Sequence, residues 1–231
     1  MRPYLDPRDH AFANGPVFAR PANDLAAAAL FDDPRDGELL MQLFAAFDRG
    51  AEADAGLRLG LQARLLTPNG GLRAGIGRDC VLRGIIRCEG PGQVVLGDRV
   101  YLGDGAIISA MERVEIGEGT LIAHGVQVFD NDTHPLDPAE RAAHFAAILK
   151  LEPMRAFDIP TAPVHIGRRC WLGMNAMVLK GVSIGDDAIV AAGAVVASDV
   201  PKGATVVGNP ARAVRRPRPG WAPFRSKGSK S

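Results

Sequence analysis

The chain has 231 residues, with Lys plus Arg at 27 and Asp plus Glu at 26, for a formal net charge of +1. That length suits one main domain with attachments and a sizeable core. The charge balance excludes wholesale attraction to nucleic acid or to membrane surfaces; only the stretch from Arg212 to Ser231 is lopsided, with basic residues and no acid. Three cysteines (Cys80, Cys88, Cys170), an odd count with no CxxC pair, point to neither a disulfide framework nor a zinc site. No metal is expected. The first residues lack an apolar signal core, and no run of eighteen apolar residues occurs. The expectation is a cytoplasmic, soluble protein without membrane insertion.

In chain order, Asn23 to Arg49 reads as two amphipathic helices broken near Asp33–Pro34, with acids near their starts. Their expected role is to cover the open end of the repeats that begin near residue 71, since an exposed strand edge invites aggregation. Residues 1–70 are therefore read as a helical cap and linker.

From Ile76 a six-residue period takes over. Aliphatic residues fall at Ile76, Leu82 and then Cys88; at Leu96, Leu102 and Ile108; at Ile116, Ile122 and Val128; and, after an interruption, at Ile166, Leu172, Val178, Ile184, Val190 and Val196. Glycine follows many of them, as at Gly77, Gly97, Gly117, Gly167 and Gly185, and is read as permissive backbone for tight corners. A second, mostly small series (Cys80, Val100, Ala106, Cys170, Ala176) lies four residues further on. Period six is neither the 3.6 of a helix nor the 2 of an ordinary strand. Each unit is one short strand plus a corner, three units close a triangular coil, and coils stack at ~4.8 Å. The early coils repeat every 20 residues and the late ones every 18, so two extra residues bulge at the third corner. The step from Val128 to Ile166 spans 38 positions and requires an extruded loop at about 130–163. The fold expected is mainly β: a parallel β-helix of hexapeptide repeats over 71–205, followed by a basic segment at 206–231.

The extruded loop opens with NDTHPLDPAER (Asn131 to Arg141), and the return strand leads into CWLG, then GVSIGDDAIVAAGAVV, then VVGNPARAVRR. Over roughly residues 95–216 this series resembles the galactoside, maltose and polysaccharide O-acetyltransferase group of the hexapeptide-repeat acyltransferases. The resemblance implies a left-handed coil, which spacing alone does not supply. It also implies a homotrimer with sites between subunits, acetyl-CoA as donor, a small-molecule acceptor (a sugar), and His134 as general base. That chemistry suits the residue: a sugar hydroxyl is a poor nucleophile, and a base near neutral pKa takes its proton as it attacks the thioester. Donor contacts carried over by resemblance are Met174, Ala192, Gly193, Ala197, Ser198, Arg212 and Arg215, with Trp171 lining the groove or serving as plain subunit interface. Asn131, Asp132 and His124 are candidate acceptor contacts. Asn131, Asp132 and Asp137 equally suit loop turns, Asp137 as the N-cap of a helix starting at Pro138. His144 and His165 read as ordinary, and Cys80 and Cys170 as inward packing.

The sequence departs from the group where a Thr-Lys pair is usual: Ala197 and Ser198 stand there instead. The galactoside enzymes' sugar-binding asparagine and acid are missing too, with Gly103 and Met111 at or near those places. The loop is also longer and more apolar, suiting a different acceptor, such as a cell-surface polysaccharide precursor or nucleotide-linked sugar. Two rival readings stay open: an N-acetyltransferase of an amino sugar, and a non-catalytic β-helix scaffold. A zinc-dependent carbonic anhydrase on the same prism needs histidines that Trp171 to Val200 lacks.

Overall fold

The computed structural model describes residues 16–68, 70–150 and 157–214. Helix α1 (Asp24–Ala28) begins at Asn23, whose side chain accepts from the Ala26 amide at 2.9 Å. Helix α2 (Pro34–Gly50) begins at Asp33, which accepts from the Arg35 amide at 3.0 Å, with Pro34 at the first turn where its missing N–H costs nothing. Leu40, Leu43, Phe44 and Phe47 of α2 are buried in one cluster with Leu57, Leu59 and Leu65. The helix thus closes the open end of the coils, as its apolar stripe requires.

Three sheets of nine, six and six strands form the faces of a prism, parallel throughout except for antiparallel edge strands at Val17–Ala19 and Arg212–Val214. On the first face Leu59, Leu82, Leu102, Ile122, Leu172, Val190 and Val206 stack in register. The second face stacks Leu65, Ile86, Ile108, Val128, Val178 and Val196. The third stacks Ile76, Leu96, Ile116, Ile166 and Ile184. All of these side chains are buried. Each contributes roughly 1.5–3 kcal/mol by leaving water.

Three expectations need correction. Pairing starts at Ala51 rather than 71: Ala51–Ala53, Arg58–Gly60 and Arg64–Leu66 pair with the strands at Ala74–Ile76, Val81–Leu82 and Ile85–Cys88. Residues 51–66 are thus a coil, not a linker. Its third-face position is Ala53 rather than a larger aliphatic, and the segment from Thr67 to Gly71 breaks the period before Leu59 and Leu65 can join the later run. Second, Ile86 and not Cys88 aligns with Ile108; Cys88 pairs with Ala110. The corner at Arg83–Gly84 is tighter than its successors, which shifts the register by two. Third, the glycines after the aliphatics are there for close approach rather than unusual backbone angles. A Cβ on Gly117 would lie 2.6 Å from the Gly167 carbonyl carbon of the next coil, and the left-handed position at this corner falls two residues on, at Gly119.

Helix α3 (Pro138–Leu149) lies in the extruded arm, which leaves after Asp130 and returns at Val164, its base tied by a bridge between Asn131 and Thr161. No helix among the described residues is long and apolar enough to cross a membrane.

Candidate active site

The arm grows from the corner between the second and third faces. Asp130, fully buried there, accepts from the backbone amides of Met111, Glu112 and Arg113 at 2.7–2.8 Å, and from Asn131 Nδ2 at 2.9 Å. A buried carboxylate is tolerable only with such partners. Those bonds fix the bulge of the coil below and the root of the arm together. Asp130 is absent from the residues expected at the site, because in sequence it looks like any loop aspartate.

Asn131 and Asp132, read as candidate acceptor contacts or as turn residues, both have partners within the chain. Asn131 is 7% exposed, and its Oδ1 accepts from the Thr133 amide at 3.0 Å. Asp132 pairs with Lys180 Nζ at 2.6 and 2.7 Å. Their short polar side chains hold the turn that presents His134.

Thr133 sits at φ +62°, a left-handed conformation that a β-branched residue rarely adopts. Such strain costs about 1–3 kcal/mol and persists where surrounding bonds over-determine it. Here Thr133 Oγ1 donates to the Asp132 carbonyl at 2.6 Å, and the His134 amide donates to the same oxygen at 2.7 Å. Beyond His134, Asp137 caps α3, accepting from the Ala139 and Glu140 amides, both at 2.9 Å. From that helix Arg141 donates to the Pro135 and Leu136 carbonyls at 3.0 and 2.8 Å. His134 is exposed, yet its backbone is held from both sides. Its Nδ1 lies 3.2 Å from Nδ1 of His144 on α3. His144, read from sequence as ordinary, is fully buried, its ring 4.7 Å from that of Phe157. A histidine ten residues away on a helix offers no spacing that marks it.

The other expected residues divide between two edges of the second face. Met174, Ala192 and Gly193 lie at the corner between the first and second faces, with the Gly193 amide donating to the Met174 carbonyl at 2.8 Å. Met174 and Gly193 are exposed there and Ala192 is exposed beside them. His124 stands one coil below at this corner, where the Asn175 amide donates to its carbonyl. Its Nε2 is 4.0 Å from Asp104 Oδ2 and, like the Tyr101 hydroxyl, is buried without a hydrogen-bond partner among the described residues. Asp104 itself is tied to buried Arg83 at 2.8 Å. Ala197 and Ser198 are exposed at the opposite corner, the one that carries the arm. The strand between the two corners, Gly125 to Asp130, spans about 17 Å at ~3.3 Å per residue. The arm that carries His134 and the corner that carries Met174, Ala192 and Gly193 thus root at opposite edges of the second face.

Trp171 faces outward on the first face and is 53% exposed, between Leu121 and Ile189. Arg212 is exposed on the final hairpin, its Nη1 on the Ala211 carbonyl at 2.9 Å. Arg215, with the rest of the basic tail, lies outside the described residues. His165 is an ordinary surface residue, 3.0 Å from Glu115. Burial pushes all three cysteine thiols up, Cys88 to about 11, so they stay protonated and are no nucleophiles. Among the described residues no three His, Cys, Asp or Glu side chains are grouped to hold a metal ion.

Known proteins share this architecture. The family model for the bacterial transferase hexapeptide (six repeats) covers residues 163–198. Nodulation protein L of Rhizobium meliloti is 39% identical over 144 residues, which is 61% of this chain and 71% of that protein. WbbJ of Escherichia coli, whose name links it to O-acetyl transfer in lipopolysaccharide biosynthesis, is 31% identical over 134 residues, covering 55% of this chain and 62% of WbbJ. AntD, an N-acyltransferase from Bacillus cereus solved with dTDP and coenzyme A, shares the fold with a TM-score of 0.57 and 17% identity, over 72% of this chain and 84% of that one. The chain belongs to the bacterial hexapeptide-repeat transferases, the acyltransferases built on a left-handed parallel β-helix.

Proposed function

We propose that the protein moves an acetyl or similar acyl group from acyl-CoA to a hydroxyl of a sugar or cell-surface polysaccharide precursor, with His134 as general base. The observation that carries this reading is the arm itself, which presents an exposed His134 on a backbone held from both sides, its Nδ1 3.2 Å from that of His144. The name of WbbJ supports both the acyl-transfer class and a saccharide acceptor.

In the proposed reaction His134 takes the acceptor's proton as its oxygen attacks the thioester carbonyl. A C–O bond forms, the C–S bond breaks, and the departing sulfur receives that proton from His134. The products are an acyl ester and free coenzyme A thiol. No acyl-enzyme is needed, which suits a chain whose thiols are buried and protonated. Met174, Ala192 and Gly193 would admit the pantetheine arm along bare backbone, and Arg212 and Arg215 would meet the nucleotide phosphates. Because the arm and these residues root at opposite edges of one face, the reading completes each site with the edge of a second copy, and a closed homotrimer supplies three such sites. Cytoplasmic acetyl-CoA is the natural donor pool for such a site.

The test is acyl transfer from acetyl-CoA, screened against sugars, amino sugars and nucleotide sugars. The reading expects an ester on a saccharide hydroxyl. A product acylated only on nitrogen replaces the acceptor class. The absence of transfer to any acceptor, with no thermal stabilisation by coenzyme A, leaves a scaffold; a ligand at 100 times its Kd should stabilise by about 2.7 kcal/mol.

A further inference from the structure

We infer that His144 is the positioning partner of His134: its Nδ1 accepts a hydrogen bond from His134 Nδ1–H and so keeps the lone pair of His134 on Nε2. The inference rests on the reading of His134 as base. It is carried by the 3.2 Å contact between the two Nδ1 atoms and by the complete burial of His144. At that distance one nitrogen donates and the other accepts, so the pair fixes the tautomers of both rings. Only with His144 as acceptor is His134 Nε2 free to take a proton.

The setting favours that direction. Protonating His144 as well would set two cations in contact, with one of them sealed from water. The charged groups nearby are already committed: Asp132 to Lys180, Asp137 to the first turn of α3, and Arg141 to the Pro135 and Leu136 carbonyls. No carboxylate among them takes the orienting role that an acid fills in a Ser-His-Asp triad, and a second imidazole stands in its place. Once His134 has taken the acceptor's proton, its Nδ1–H···Nδ1 bond to His144 becomes charge-assisted and strengthens. The contact therefore favours the charged state that forms in mid-reaction. Phe157, packed at 4.7 Å against His144 with the planes 42° apart, keeps the second ring from turning away.

Two substitutions separate this role from packing. His144→Leu keeps bulk and removes the acceptor, whereas His144→Asn places an amide oxygen near the former Nδ1. The inference expects His144→Leu to lower kcat about 10- to 100-fold with both KM values within about twofold, and His144→Asn to return kcat to within about fivefold of wild type. A packing role reverses the order, because a smaller polar group in a buried site harms more than leucine. Nitrogen-15 NMR of labelled protein adds a readout independent of turnover: neutral His134 should carry its proton on Nδ1, and lose that preference in His144→Leu. Asparagine performing worse than leucine, unchanged kcat in His144→Leu, or a proton on His134 Nε2 in the wild type overturns the inference. If His134→Ala is inactive while His144→Leu is not impaired, only this inference fails. If His134→Ala keeps full turnover, the base itself is wrong, and the tautomer measurement still decides the pairing.

Discussion

The prism and the arm are built on opposite principles. In the prism each inward position is occupied by the same kind of side chain many times over: Leu82, Leu102, Ile122 and Leu172 sit one above another and make interchangeable contacts. In the arm every contact is made once, by a polar group with a specific partner: Asp130 with three amides, Asp132 with Lys180, His134 with His144. Redundant apolar burial gives rigidity that tolerates small errors. Single polar contacts give position, and each fails separately. On the proposed function, stability and chemistry fall largely on different residues, so the two should be separable by mutation.

The largest expected effect comes where the two regions meet. Asp130→Leu keeps the branched shape but removes the acceptor of three backbone amides, each costing about 1–3 kcal/mol, and should destabilise by about 3–9 kcal/mol while abolishing turnover. Denaturant unfolding and an acyl-transfer assay on the same sample check both halves. Next, Leu102→Ala in the middle of the prism should cost about 2–5 kcal/mol with kcat unchanged below the melting transition. A matching loss of kcat would show that the prism does more than hold the corners apart. His134→Ala should do the reverse, lowering turnover at least about 100-fold with the unfolding midpoint intact. If that variant unfolds, the arm is part of the fold's stability and the division collapses. Smallest is Asp132→Asn: its ion pair with Lys180 is partly exposed, so stability should fall by no more than about 1 kcal/mol, with a larger proportional effect on kcat than on Tm.

The same contrast explains what is legible in the sequence. A period of six announces itself because stacking demands the same residue class at each step, so the third column is plain from Leu96 through Ile116 to Ile166. The first coil is hidden because its third-face position is Ala53 and the segment from Thr67 to Gly71 breaks the period, and Cys88 is misplaced because the tight corner at Gly84 shifts the register while preserving an apolar residue. In the arm, His134 stands out through its motif, and Asp137 through the proline after it. His144 and Asp130 do not, since a helix brings a residue inward by turning and a buried acid looks, in sequence, like any loop aspartate. Asn131 and Asp132 carry two readings in sequence, because the residue types that bind sugars also tie turns.

Catalysis as proposed here depends on the half-site around His134 and the half-site around Met174, Ala192 and Gly193 belonging to different copies of the chain. Subunit mixing puts that to the test. His134→Ala and Ala192→Trp should each be inactive alone; unfolded together at equal amounts and refolded, they should recover about a quarter of wild-type turnover, since each mixed ring of three restores one intact site. Mixed trimers, demonstrated by native mass spectrometry, that stay as inactive as their parents would contradict the shared site and place all of it within one chain.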